Sequence, residues 1–269
     1  MPAIQLAKLK KQVAELSDLF HEPAALRSKL HKTLDEYADR TRRHGQSGEP
    51  PPLVITHNVP APVLHQIIRE LSIQAASNPE SGLRLCDYLW KQPYLEENLI
   101  AVYLLGSIIL ADDQPILERI QEWLHSKPEE RLVNAILEHS LANLRQNSPK
   151  VVIDLIEKWI VDADTYHKSL GLRECLYLID QHSFNDLSLV FNWINPLIRF
   201  SPSEIRSDVI NILIALARRT PQETAYTLRR ILDSPENNHA AWYIRQTLKY
   251  FPAPTQSKLR TVLHEERYL

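Results

Sequence analysis

Basic side chains recur in the later helical segments of this sequence, at positions that could contact phosphate groups. Lys168 and Arg173 lie in one predicted helix, and Arg206 and Arg245 lie in two later ones. Cations that line one face of a helical array can bind the DNA backbone without reading the bases. The same residues on solvated helix faces would need no partner, so both interpretations stay open.

A second basic group comes much earlier in the chain, in the run Arg40, Arg42 and Arg43. These cations end the second predicted helix, where they also suit the negative end of the helix dipole. We expect Arg42 and Arg43 to form an additional arm on DNA if the later helices bind it.

The middle of the chain is acidic, although the formal net charge of the whole is only −2. Residues 80–165 carry eight Lys and Arg against fifteen Asp and Glu. Two of these acids, Glu96 and Glu97, are expected on the exposed inner face of a helix pair, the usual binding surface of stacked repeats. An acidic centre favours a protein partner over DNA, so a protein-interaction scaffold is an alternative function.

No spacing typical of a metal or nucleotide site occurs in the sequence. The eleven His are scattered, and there is no Cys-x-x-Cys, His-Glu-x-x-His or Gly-rich phosphate loop. The sequence therefore predicts neither a metal nor a cofactor. No apolar run approaches the roughly 20 residues of a membrane span, and the N-terminus lacks a signal-peptide pattern. We expect a cytoplasmic protein without membrane contact.

Four tryptophans set the period of the elements that carry these side chains. Trp90, Trp123, Trp159 and Trp193 follow one another at spacings of 33, 36 and 34 residues. A period of this size is typical of stacked helix pairs, because one pair cannot bury its apolar face alone. We interpret the indoles as the core of the repeats. Exposed indoles that stack on bases are the alternative.

Proline positions and apolar periodicity divide the chain into helices. The predicted helices are 3–19, 23–43, 62–76, 79–91, 94–110, 113–125, 129–146, 149–161, 165–181, 187–199, 202–219, 221–233, 236–250 and 255–266. Five prolines between 50 and 62 exclude helix there. The sequence therefore predicts an all-α protein: an N-terminal helical hairpin over 1–43, a Pro-rich linker over 44–61 and a HEAT-like helical-repeat solenoid over 62–269.

Two stretches, DYLWKQPYLEENLIAVYLL and SPKVVIDLIEKWIVDADTYHKSLGL, resemble the bacterial DNA alkylation repair family of HEAT-like-repeat alkylpurine DNA glycosylases. The resemblance covers roughly residues 64–250. The residues that carry it are Leu89, Trp90, Pro93 and Glu96 in the first stretch and Lys158, Trp159 and Ile160 in the second.

The resemblance implies a concave basic groove for duplex DNA, with a Trp-x-x-x-Asp pair and a later Arg that excise positively charged purines. At the matching positions this chain has Glu130 and Asn134, and Lys168-Ser169 replaces the Arg. A carboxylate stabilises the positive charge that develops on the sugar, and an amide cannot match it. We therefore expect a backbone-type DNA-binding relative with a degraded catalytic site. A protein scaffold and an active alkylpurine glycosylase are the alternatives.

Overall fold

The computed structural model describes residues 5–40, 54–181, 183–235 and 239–265. These residues are mostly helical and contain no strand, and an isolated parallel bridge joins Ile55 to Tyr94. The prediction of an all-α helical-repeat fold is therefore confirmed, while its HEAT-like character stays a prediction. None of the described helices combines the length and the apolar character that a membrane span requires. The chain divides into two compact units, Met1–Ser148 and Pro149–Leu269.

The first unit is built on α5, which contacts helices on several sides. α1 packs on α2 and α3, α2 packs on α4, and α5 packs on α3, α4 and α7. The helices of this unit are α1 (Leu6–Asp18), α2 (Pro23–Glu36), α3 (Ala61–Ser77), α4 (Pro79–Trp90), α5 (Leu95–Ser107), α6 (Gln114–His125), α7 (Glu130–Ala135) and α8 (Ala142–Asn147), with a π-helical segment at Ile136–Ser140 between the last two.

The second unit repeats this pairing of neighbouring helices. α9 packs on α10, α10 packs on α12, and α12 packs on α13 and α14. The helices are α9 (Pro149–Val161), α10 (Thr165–Asp180), α11 (Leu187–Arg199), α12 (Arg206–Arg219), α13 (Pro221–Leu232), α14 (Ala240–Thr247) and α15 (Ala253–Glu265), with short 3₁₀ turns at Ser203–Ile205 and Leu248–Tyr250.

The tryptophans are repeat core, as the spacing indicates. Trp123, Trp159 and Trp193 expose only 2%, 5% and 7% of their surface. Trp90 is half-buried at the end of α4, and its ring stacks on Trp123 with centroids 4.4 Å apart. These four indoles therefore hold helices together and are not a free stacking platform for bases.

The chain that enters α3 is fixed by a buried carboxylate. Glu96 at the start of α5 accepts hydrogen bonds from Thr56 Oγ1 at 2.7 Å, from the His57 amide at 3.1 Å and from the Val59 amide at 3.4 Å. Residues 54–60 are accordingly non-helical but anchored. The predicted domain boundary at 44–61 stays a prediction, and residues 41–53 lie outside the described part of the chain.

The expectation that Glu96 and Glu97 line an exposed face is wrong, since they expose 4% and 0% of their surface. Glu96 is covered by the 56–59 segment, whose groups donate to it, and Glu97 contacts Arg27 and His31 of α2. Asn98 beside them is also buried, and its amide donates to the carbonyls of Trp90 and Gln92 at the end of α4. The polar start of α5 is therefore structural.

Most predicted helices shift by a few residues at their ends, and two differ in ways that concern the candidate site. The helix predicted over 23–43 ends at Glu36, because Tyr37 is buried with its hydroxyl on Gln12 at 2.9 Å and the Asp39 amide pairs with the Asn58 carbonyl. The helix predicted over 129–146 is interrupted by the π-helical segment. This π-helical segment forms part of the wall of the candidate site.

Candidate functional site

A cavity of about 590 Å³ lies beside α7 in the first unit. Pockets of a few hundred Å³ with convergent polar groups are the usual form of small-molecule and substrate sites. Its walls come from α3, α5, α7, the π-helical segment and the chain just before α3. The polar residues that line it are Asp39, Asn58, His65, Tyr103, Arg131, Asn134, Glu138 and His139.

One wall of the cavity changes from α-helix to π-helix directly after α7. The Leu141 amide donates to the Ile136 carbonyl, five residues back, at 3.3 Å. This wider turn leaves carbonyls without their α-helical donors, and the buried Arg145 supplies donors instead. Its guanidinium binds the carbonyls of Leu137 at 2.6 Å and Glu138 at 2.7 Å. Single π turns of this kind occur frequently at functional sites.

The π-helical segment is docked closely against the backbone of α5. Ser140 Oγ donates to the Val102 carbonyl at 2.9 Å, and Asn143 Nδ2 donates to the Gly106 carbonyl. A Cβ atom on Gly106 would lie only 2.1 Å from the His139 carbonyl oxygen, so only glycine permits this approach. The close contact brings residues of α5 and of the π-helical segment into the same wall.

A stacked pair of rings results from this approach. Tyr103 and His139 lie with ring centroids 4.0 Å apart and planes at 25°. Burial lowers the pKa of His139, while the nearby Glu138 carboxylate opposes that shift. Burial also raises the pKa of Tyr103, and Glu138 adds to this. At neutral pH the pair is therefore a neutral imidazole on a neutral phenol, able to offer hydrogen bonds but no charge.

Glu130 and Asn134, which the sequence resemblance predicts at the positions of the family's catalytic pair, lie on α7. Asn134 lines the cavity, and its amide reaches the Glu130 carboxylate at a long 3.5 Å. Both side chains are exposed. Glu138 lines the same cavity four residues after Asn134. The sequence predicts neither Glu138 nor the Tyr103–His139 pair as site residues, because they belong to no motif and meet only through the π turn.

The predicted DNA-binding residues of the second unit have different surroundings. Arg206 at the start of α12 is held on three sides: its guanidinium lies 3.4 Å from the Ser201 carbonyl, 3.2 Å from His239 Nε2 and 5.8 Å from the ring centre of Trp242. Arg245 on α14 is exposed. The structure thus brings one predicted cation together with an imidazole and an indole that the sequence does not single out for this role.

The remaining predicted cations are less clearly grouped. Lys168 and Arg173 are both half-buried on α10, and five residues place them about 140° apart around the helix. They therefore do not share one face. Ser169, next to Lys168, donates its hydroxyl to Asp208 at 2.6 Å. Arg42 and Arg43 lie outside the described residues.

A model of the DNA alkylation repair enzyme family matches residues 30–251 of the chain. The protein belongs to the DNA alkylation repair enzyme family. Neither a curated protein nor a solved structure matches it at a significant level. The match begins inside α2 and ends after the last 3₁₀ turn, so it takes in the cavity of the first unit and the cations of the second.

Within this DNA alkylation repair family member, the cavity and the cations differ in chemistry. The cavity offers an amide at Asn134, a carboxylate at Glu138 and a neutral ring pair. The second unit offers an oriented guanidinium at Arg206 beside a partly exposed indole, with Trp242 36% exposed. The first set suits hydrogen bonding to a polar group, and the second suits a phosphate and a flat ring.

Proposed function

We propose that this protein binds duplex DNA through contacts to the phosphate backbone and does not itself excise alkylated purines. The observation that supports DNA binding is the orientation of the Arg206 guanidinium by His239 and the Ser201 carbonyl. A guanidinium that is already ordered loses little side-chain entropy when it binds a phosphate. Lys168, Arg173 and Arg245 in the same unit are the further candidates.

Asn134 supports the absence of excision. Cleavage of a purine from its sugar develops positive charge on the sugar, and loss of one fixed stabilising group typically removes about 10²–10³ in rate. Asn134 places a neutral amide where the family resemblance expects a carboxylate, and Glu130 replaces the indole one turn before it. The pair therefore lacks the carboxylate at position 134 and the indole at position 130 that the resemblance implies.

The salt dependence of duplex affinity tests the proposed binding to the DNA backbone. Affinity should fall steeply with salt, with a log–log slope near −0.9 for each phosphate contact. Arg206→Ala and Arg245→Ala should each weaken binding to all sequences alike and flatten the slope by about one unit. Arg260→Ala, an exposed arginine on α15, is the matched control and should change little. Absence of duplex binding at low salt would remove the proposal and favour a protein-interaction scaffold.

A second candidate function is excision with Glu138 as the carboxylate. Glu138 is exposed and lines the same cavity as Asn134, and its carboxylate influences both rings of the Tyr103–His139 pair. Release of 7-methylguanine or 3-methyladenine from methylated duplex distinguishes the two functions. We expect no release by the wild type and little by Asn134→Asp alone, because Glu130 still occupies the place of the indole. Wild-type release that Glu138→Gln abolishes would establish the second function instead.

A further inference from the structure

Three polar side chains from separate parts of the first unit converge beneath the anchored segment 54–60. His31 comes from α2, His57 from the segment itself and Glu97 from the first turn of α5. A ring nitrogen of His31, a ring nitrogen of His57 and a carboxylate oxygen of Glu97 lie within 4.8 Å of one another. The sequence predicts no metal site here, because the three residues share no local spacing.

The converging atoms are buried and lack hydrogen-bond partners. His31 Nδ1, His57 Nε2 and Glu97 Oε1 each have almost no solvent contact and no hydrogen bond. Glu97 exposes 0% and His57 exposes 9% of its surface. Buried polar atoms without partners are rare in native proteins, and an ion is one of the explanations that such atoms require. Three such atoms in one place point to a cation as their common partner.

One edge of the cluster has the length of an edge of a tetrahedral metal site. His31 Nδ1 lies 3.4 Å from Glu97 Oε1. Ligand bonds of about 2.0–2.1 Å to a tetrahedral ion imply an edge of about 3.3 Å between two ligands. The edge between His31 Nδ1 and Glu97 Oε1 therefore already has the length that a bound ion requires, and a small shift of the His57 ring would complete the site.

The surroundings hold His57 in a form that can bind a metal. Its ring stacks on Tyr94 with centroids 4.5 Å apart, and its backbone amide is fixed by Glu96. Burial lowers the pKa of His57, which favours the neutral imidazole that metals bind. His31, whose side chain is 32% exposed, packs edge-on against both rings and gives access from solvent.

We propose that His31 Nδ1, His57 Nε2 and Glu97 Oε1 bind a divalent transition-metal ion of the zinc class, with water as the fourth ligand. Two imidazoles and one carboxylate are a common ligand set for Zn²⁺. The bound ion would join α2, the chain before α3 and α5, three segments that are far apart in sequence.

The guanidinium of Arg27 is positively charged and repels a metal ion bound by Glu97, but its position leaves room for the ion. Its Nε donates to Glu97 Oε2 at 3.4 Å and lies 3.2 Å from Oε1 without the geometry of a hydrogen bond. The Arg27 side chain is 27% exposed, so it can move toward solvent and still donate its hydrogen bond to Glu97 Oε2. Glu97 then uses one oxygen for the metal and the other for the guanidinium.

Metal titration of the full chain after treatment with a chelator tests this proposal. We expect one Zn²⁺ per chain by calorimetry, a visible absorption band when Co²⁺ replaces it, and a higher melting temperature with either ion. His57→Phe removes the ligand but keeps a ring on Tyr94, and Glu97→Gln removes the charge. Each should weaken Zn²⁺ binding by more than about 100-fold, since even partners outside the ligand shell are worth about 10–100-fold.

Three further variants keep the test decisive. Glu96→Gln, which loosens the anchor of the segment that carries His57 and leaves the three ligands in place, should weaken binding by about 10–100-fold. His31→Asn alters the most exposed ligand and serves if the buried changes prevent folding, as judged by circular dichroism. His125→Asn, on the exposed end of α6, is the matched control and should bind as the wild type does. Folded wild type that binds no Zn²⁺, or binding that is unchanged in His31→Asn and His57→Phe, would overturn the proposal.

Discussion

Gly106 is the position at which a single methyl group should disturb the candidate site most. A Cβ there would lie 2.1 Å from the His139 carbonyl oxygen, and real Cβ contacts stay above 3.0 Å. The backbones of α5 and the π-helical segment would have to separate by about 1 Å. Overpacking of this kind costs about 1–3 kcal/mol, and a backbone atom that cannot rotate away places Gly106→Ala at the upper end.

The gain in helix propensity offsets part of that cost. Glycine is about 1 kcal/mol less favourable than alanine inside a helix, so we expect a net loss of about 2 kcal/mol in the free energy of unfolding. Urea unfolding followed by circular dichroism measures it. Gly82→Ala is the matched control: its new Cβ meets the end of the flexible Ile108 side chain at 2.9 Å, which can turn aside, and Ala75 at 3.2–3.3 Å, where a shift of a few tenths of an ångström suffices. We therefore expect a change of no more than about 1 kcal/mol. If Gly106→Ala proved as stable as Gly82→Ala, the close approach of the two backbones would be refuted.

Three other outcomes are expected. Trp159→Ala should lower the free energy of unfolding by about 3–5 kcal/mol as a large core truncation, whereas Val161→Ala, at a 73% exposed position, should change it little; an equal effect of the two would contradict the core assignment. Arg206→Ala should flatten the salt dependence of duplex binding by about one unit in a log–log plot, and an unchanged slope would exclude a phosphate contact at Arg206. Burial lowers the pKa of His57 below its ordinary value of 6.5, so the neutral form stabilises the fold above about pH 6.5 and this stabilisation is lost as the pH falls toward the folded pKa. In the presence of chelator, the melting temperature of His57→Phe should therefore fall less on acidification than that of the wild type.

Helix positions could be predicted from the sequence because their signals are local. Pro79, Pro149 and Pro221 each stand as the first residue of a helix in the structure, where the fixed φ angle of proline fits. The period of the tryptophans likewise predicts burial, since each indole closes a helix that must pack on its neighbour. The structure confirms this burial for Trp159 and Trp193, which expose 5% and 7% of their surface.

The candidate site could not be predicted in the same way, because distant contacts decide it. The sequence predicts an exposed polar face at Glu96 and Glu97, whereas contacts from the distant 56–59 segment and from α2 bury them. The π turn depends on Gly106 and on the Arg145 guanidinium, neither of which signals a change of helix type by itself. The sequence does identify Asn134 as the position to examine, through the family resemblance, and the structure places it on the cavity wall.

The π turn also changes which side chains share a face of the helix. A turn closed five residues back contains one residue more than an α turn, so the faces before and after Ile136–Ser140 are out of step by about 100°. Removal of one residue in this stretch would restore α-helical geometry but swing Asn143 and Arg145 away from the carbonyls they bind. A relative that lacks the turn should therefore align with a one-residue gap here, and spacing rules carried across the gap would select the wrong side chains.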